Sequence, residues 1–266
     1  MKKHIILSLF RSGSNYLANL LNSHPQVTNY GEVLGDWTIP YNLYSKTKLG
    51  GKSTEDYLDF IYNSKLFFAA GQAYSAMVHI RKGKKINFKY WSDIETIGVK
   101  DFSINFRDRK IASYLTKRSD IRVVNLYREN ILKRLISLER QHASGITKVA
   151  KNERHKDSKT DRKIQLDVPY VLEQLEIFDR ELRDHKNMVK ELPQSRVLNI
   201  CYEDLFASQD SRDLYTRELL DFLEVESTTI KSDHRKILSD KLSDIVANYD
   251  ELENGIRGRR FSRYLD

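Results

Sequence analysis

The chain has 266 residues, with 45 lysines and arginines against 37 aspartates and glutamates, a formal net charge of +8. A chain this long buries enough surface to hold a core without a staple, and its single cysteine, Cys201, excludes an internal disulfide framework. No apolar stretch approaches the ~18 residues of a membrane helix, and the basic excess comes without a helix-turn-helix, zinc-finger or RNP motif, so we expect an anionic small-molecule ligand, no nucleic acid and no membrane partner.

The first predicted element is a buried strand at residues 5–9, an apolar run of the length a parallel sheet requires. It runs into Phe10-Arg11-Ser12-Gly13-Ser14-Asn15-Tyr16. The Ser-Gly-Ser turn lets backbone N–H groups converge on an anion, and the helix predicted over 14–23 points its positive end at the same spot. Arg11 adds a fork suited to phosphate oxygens, and Gly13 permits close backbone approach. A Mg-nucleotide loop would need G-x-x-x-x-G-K-[ST]; no lysine follows Gly13. Gly51-Lys52-Ser53 does not supply that loop, because Lys46 stands where its first glycine should be.

A second strand is predicted at 27–30 and delivers Gly31-Glu32 to the edge where the first turn lies. Ser53 opens a helix over 54–64, with Asp56 in near capping-box position. Residues 35–89 are expected to shape a ligand pocket; of the aromatics Tyr41, Tyr44, Phe67, Phe68, Tyr74, Tyr90 and Trp91, most are expected to pack in the core. A strand at 96–100 ends on Lys100. A helix is predicted over 106–118. The next strand, 122–127, places Arg128 at its carboxyl end, the ligand edge of an open α/β sheet. In the following helix, 129–145, Ser137 falls near the face of Asn130, Lys133 and Arg134. Residues 149–163 are highly charged and read as an exposed loop. A long amphipathic helix over 166–192, a strand at 196–202 holding a buried Cys201, and helices at 215–223 and 238–252 complete the chain. Strands alternating with helices predict one domain over 1–266 with an α/β fold: a central, mostly parallel sheet flanked by helices in three layers, P-loop-NTPase-like. The seven histidines are scattered and none stands at metal-ligand spacing, so no metal is expected.

Two stretches, LFRSGSNYLANLLNSHP and LYRENILKRLIS, resemble the 5′-phosphosulfate loop and the 3′-phosphate motif of sulfotransferases that use 3′-phosphoadenosine-5′-phosphosulfate (PAPS). The REN start and the arginine-to-serine gap resemble the bacterial nodulation-factor or carbohydrate-type branch. CYEDLF (201–206) is similar to the family's Tyr-Glu-Asp-Leu element, and LSDIVANYDELENGIRG (242–258) to the C-terminal region of the bacterial branch. The resemblance implies that Arg11, Ser12, Gly13, Ser14 and Asn15 hold the 5′-phosphosulfate end. Arg128 and Ser137 then hold the 3′-phosphate and Tyr202 flanks the adenine. Tyr16, where cytosolic members carry tryptophan, is counted with the same cofactor-binding set. The C-terminal arginines 257, 259 and 260 are candidates to close over the cofactor.

Transfer to an acceptor needs a base. Glu32 resembles the glutamate that follows a glycine in tyrosylprotein and carbohydrate sulfotransferases; His24, before Pro25, is the rival. Lys100 resembles the lysine of the Lys-Asp pair in tyrosylprotein sulfotransferases, where it would stabilise charge together with Arg11. The expected enzyme is a soluble, cytoplasmic sulfotransferase, with PAPS as donor, 3′-phosphoadenosine-5′-phosphate (PAP) as product, no metal, and a saccharide or small natural product as acceptor through a hydroxyl or, less favoured, an amine. Two alternatives stand beside it: a nucleoside or sugar kinase with a degenerate P-loop, and a non-enzymatic module that binds anionic glycans.

Overall fold

The computed structural model describes residues 1–81, 83, 85–144, 163–232 and 241–265. Strand β1 (Lys2–Ser8) leads into α1 (Ser14–Asn22), β2 (Val27–Asn29), α2 (Ile39–Thr47), α3 (Thr54–Asn63) and α4 (Lys65–Arg81). Next come β3 (Thr96–Phe102), α5 (Ser103–Asp108), α6 (Tyr114–Lys117), β4 (Ile121–Tyr127) and α7 (Ile131–Ser144). The chain continues through α8 (Val168–Lys190), β5 (Val197–Cys201), α9 (Tyr202–Leu205), α10 (Gln209–Leu223) and α11 (Tyr249–Ile256). Among the described residues the strands form one parallel sheet in the order β2-β3-β1-β4-β5. Helices cover both faces, which is the expected three-layer, P-loop-type α/β fold.

Alternation along the central strands sorts the core. Ile6, Val124, Leu126 and Ile200 face α1 and α10. Ile5, Leu7, Ile97, Val99 and Val123 face the opposite layer, with residues of α3, α5, α6 and α8. A third cluster joins Leu9 to α7, α8 and α11. Both faces of β1 are therefore dry at its centre, which is why Ile5-Ile6-Leu7 run apolar on successive residues rather than alternating with polar ones.

Local chemistry sets the helix ends. Ser53 and Asp56 form a reciprocal capping box on α3. Thr38, Asp167 and Ser208 accept backbone N–H bonds at the starts of α2, α8 and α10. The single helix expected at 106–118 is instead α5 and α6, because Lys110 takes a left-handed φ of 59° that no helix tolerates. The helix expected at 238–252 also differs. Residues 238–240 lie outside the described residues, Leu242–Asp244 form a single 3-10 turn and Val246 bridges Ile164, so the helix begins only at Tyr249. Apart from Lys163, the charged segment 149–163 lies outside the described residues. Helices α2 and α4, within 35–89, were not anticipated.

Three buried polar groups brace this frame. His4 sits between Thr96 and Asn29, packed so closely on Gly98 that a Cβ there would meet its ring at 2.3 Å. His185 of α8 bonds Ser103 and Asn125. Burial lowers both imidazoles to a pKa of about 3, so they stay neutral. Lys89, between α4 and β3, inserts its ammonium among the backbone carbonyls of Asn22, His24 and Val27 at the carboxyl end of α1, and burial lowers its pKa to about 8.

Candidate active site at the carboxyl edge of the sheet

Each expected strand brings its functional residue to the same edge of the sheet. After β1, Arg11 and Gly13 both adopt left-handed backbone, φ 63° and 86°. This folds the chain into a tight turn whose last residue, Gly13, precedes α1 without any side-chain cap. The first N–H groups of α1 therefore keep no partner from their own helix. Gly13 has a second constraint: a Cβ there would lie 2.9 Å from the ring of Tyr202. The hydroxyl of Ser12 is buried in the same turn without a hydrogen-bond partner among the described residues.

On the β4 side the turn meets a cluster of cations. Arg11 donates through Nε to Ser137 Oγ at 3.0 Å and through Nη1 to Gln141 Oε1 at 2.9 Å. Arg128 is buried, donates to the carbonyl of Arg11 at 3.4 Å, lies 3.6 Å from Glu203 and stacks over the Tyr202 ring at 4.3 Å. Burial, and then the like charge of Arg128, lower the pKa of Arg11. Behind them Arg134 is wholly buried on α7 between Glu181 and the ring of Phe178; burial lowers its pKa to about 10, and its Nε and Nη1 have no hydrogen-bond partner among the described residues. Glu203 and Glu181 balance two of these guanidiniums, and the like charge of Arg128 acts on the half-buried third, Arg11.

On the β3 side the Lys100 ammonium is 2% exposed and pairs with Glu32 Oε1. It also donates to Asn15 Oδ1 at 3.1 Å, so the second residue of α1 ties this pair to the turn. Glu32 Oε2 accepts from the Trp37 indole at 2.6 Å. The loop carrying Glu32 hangs on Asp101. One carboxylate oxygen of Asp101 accepts Val33 and Leu34 N–H at 2.9 and 2.8 Å; the other accepts Phe102 N–H at 2.9 Å and Asn105 Nδ2 at 2.6 Å. Burial raises the Asp101 carboxyl against the pull of those four donors.

The predicted residues thus fall into two linked groups: Arg11, Arg128, Ser137 and Tyr202 beside β4, and Asn15, Glu32 and Lys100 beside β3, with Ser12, Gly13 and Ser14 between them. One placement differs from expectation, and the rival base falls away. The fork of Arg11, expected to work beside Lys100, is spent on Ser137 and Gln141 of α7. His24 is not at the site: it follows the far end of α1, ~13 Å of helix from Gly13, where one ring nitrogen bonds Glu226 O and the other takes the N–H of Gln26. Tyr16 packs edge-on against Phe206. In the C-terminal cluster, Arg260 pairs with Glu176 and Asp179, and Arg257 with Glu253. Asp101, Arg134 and Trp37 escaped sequence reasoning. Asp101 alone carried a signal, as the acidic half of the Lys-Asp pair.

No family model and no curated protein matches the chain. Among solved structures it is similar to a sulfotransferase from Alicyclobacillus acidocaldarius, at TM-score 0.45 and 12% identity over 100% of this chain and 96% of that one. It is also similar to the sulfotransferase domain of the curacin biosynthetic pathway, at 0.41 and 16% over 85% and 75%. A shikimate kinase from Bacteroides thetaiotaomicron gives 0.39 and 10% over 84% and 99%.

Proposed function

We propose that this protein is a PAPS-dependent sulfotransferase acting on a hydroxyl of a saccharide or small natural product. The observation that carries the reading is the packing of the buried Arg128 against the Arg11 carbonyl, with the Arg11 fork on Ser137, beside a glycine turn that lacks a Mg-nucleotide lysine. A donor with phosphates at both ends of its ribose supplies an anion to each half of this edge. The family resemblance of the two stretches supports the same assignment.

In this reading the turn N–H groups and the Ser12 hydroxyl bind the 5′ end of the donor. Arg11, Arg128 and Ser137 bind the 3′-phosphate. PAPS supplies an activated sulfuryl group on a phosphate leaving group. Glu32 takes the acceptor proton as the acceptor oxygen bonds to sulfur and the bond from sulfur to the bridging oxygen breaks, leaving PAP. Lys100 holds the negative charge that builds at the sulfuryl and bridging oxygens. The pair is preformed: Lys100 neutralises Glu32 until the donor's own charge competes for the ammonium. Positioning and fixed charge then supply most of the acceleration, by analogy with phosphoryl transfer.

The test is a metal-free thermal shift followed by mass spectrometry. PAP is expected to raise the melting temperature without Mg²⁺ where Mg·ATP does not, and PAPS to add a sulfuryl group to a member of an acceptor panel. Stabilisation by Mg·ATP alone would assign the protein to the kinase alternative. Glycan binding that survives Arg11→Ala, with no transfer, would assign it to the binding-module alternative.

A further inference from the structure

Trp37 touches the proposed base through its indole N–H. Its indole folds back over its own turn, and Gly35 makes this possible, since a Cβ there would sit 2.4 Å from the ring. The fold-back spends the indole N–H on Glu32 Oε2. What remains in solvent is ring: Trp37 is 57% exposed. Phe10 lies 5.7 Å and Phe102 6.4 Å from it, centroid to centroid, and Phe10 stacks on Phe102 at 3.9 Å. The Lys100 ammonium stands 5.0 Å from the Phe102 ring. Phe10, Phe102 and Trp37 therefore form an aromatic wall beside the Glu32–Lys100 pair.

An acceptor must bring its hydroxyl to Glu32, which Trp37 contacts, so its body lies along this wall. Ring faces and C–H surfaces match such a wall; charged or strongly hydrated groups do not. We propose, resting on the sulfotransferase reading, that Trp37 is both a positioning residue for Glu32 and the platform for the acceptor. The acceptor hydroxyl is then borne on a ring with an apolar face, a phenol or a pyranose, rather than on a linear alcohol. Phenols and pyranoses share that chemistry, and the experiment separates them.

The two roles of Trp37 are separable by substitution. Trp37→Phe keeps a ring and removes the N–H; it is expected to lower kcat about tenfold, the loss of one hydrogen bond to a charged group, with acceptor KM within about twofold. Trp37→Ala removes both; it is expected to raise KM for ring acceptors by a further two- to tenfold, the range of a ring stack. The acceptor arms are a simple phenol, a methyl pyranoside and a linear alcohol of equal carbon count. An activity-independent readout uses the chain's two tryptophans: with PAP bound, a Trp91→Phe background reports Trp37 fluorescence as each acceptor is added. Quenching by the phenol or the pyranoside, but not by the linear alcohol, is expected, and whichever ring quenches names the acceptor class. Equal behaviour of all three acceptors, or a Trp37→Ala enzyme with unchanged KM, overturns the proposal while leaving the donor site intact. Failure of PAP itself to bind by calorimetry instead removes the sulfotransferase reading, and the platform falls with it.

Discussion

The assignment of Arg128 to one particular phosphate can be tested by truncating residue and ligand together. Arg128→Ala removes a buried guanidinium that reaches the Arg11 carbonyl and stacks on Tyr202. A charge-assisted hydrogen bond contributes ~1.5–3 kcal/mol, and a guanidinium fork on phosphate makes up to two. Arg11 and Ser137 remain at the site and Arg11 is relieved of a like charge, so the net loss sits near the bottom of the summed range, ~3–4 kcal/mol, or 10²–10³ in Kd. Adenosine 5′-phosphate lacks the 3′ group, so its affinity for the variant is expected to fall no more than about threefold. Calorimetry with PAP and adenosine 5′-phosphate, on both proteins, gives the coupling directly, with circular dichroism as the check on folding. Equal losses for the two ligands, a coupling below ~0.5 kcal/mol, would refute the placement of Arg128 at the 3′-phosphate.

Glu32→Gln is expected to lower turnover by ~10²–10⁴ while PAP affinity by calorimetry stays within about threefold; near-wild-type turnover removes Glu32 as base. Asp101→Asn turns an amide NH₂ toward two N–H donors and is expected to cost ~2–4 kcal/mol in urea unfolding. It should also lower turnover in the fully folded protein, because the loop carrying Glu32 loses its anchor; a variant with full turnover would deny that role. The neutral, buried His4 and His185 make stability pH-dependent. Their folded pKa values lie below the unfolded 6.5, so their contribution is complete above pH 6.5 and falls as pH drops toward 3. Together they give at most ~2.7 kcal/mol per pH unit. Asp101, with its raised carboxyl, slopes the other way, so the contrast is drawn between the native chain and His185→Gln in urea melts at pH 7.5, 6 and 5. Identical slopes would show that His185 is not held neutral.

Much of the frame was legible because the strands are dry on both faces and declare themselves as short apolar runs. Arg128 could be read for the same reason: a strand of known direction delivers its next residue to a known edge. Three kinds of feature were not legible. Helix α4 is apolar around much of its circumference, and only Phe68 and Gln72 are fully buried in it, so it shows no stripe to read. The break at Lys110 is a backbone conformation with no glycine to mark it. The direction of a long side chain is set by its partners: Arg11 was placed at the right turn, yet Ser137 and Gln141, more than a hundred residues away in sequence, decide where its fork points. Trp37 is the extreme case, since an exposed tryptophan in a loop looks idle until Gly35 and Glu32 are seen beneath it.

The ammonium of Lys89 lies at the tail of the helix whose head follows the Arg11–Gly13 turn. A positive charge at a helix carboxyl end complements its dipole, so α1 is pinned from behind and its head is a stiff mount, spared the entropy of being ordered by whatever it grips. Because Lys89 belongs to the stretch joining α4 to β3, the connection that leads into the Lys100 strand also braces α1. Loosening that single anchor should be felt at the Arg11–Gly13 turn and at Lys100 at once.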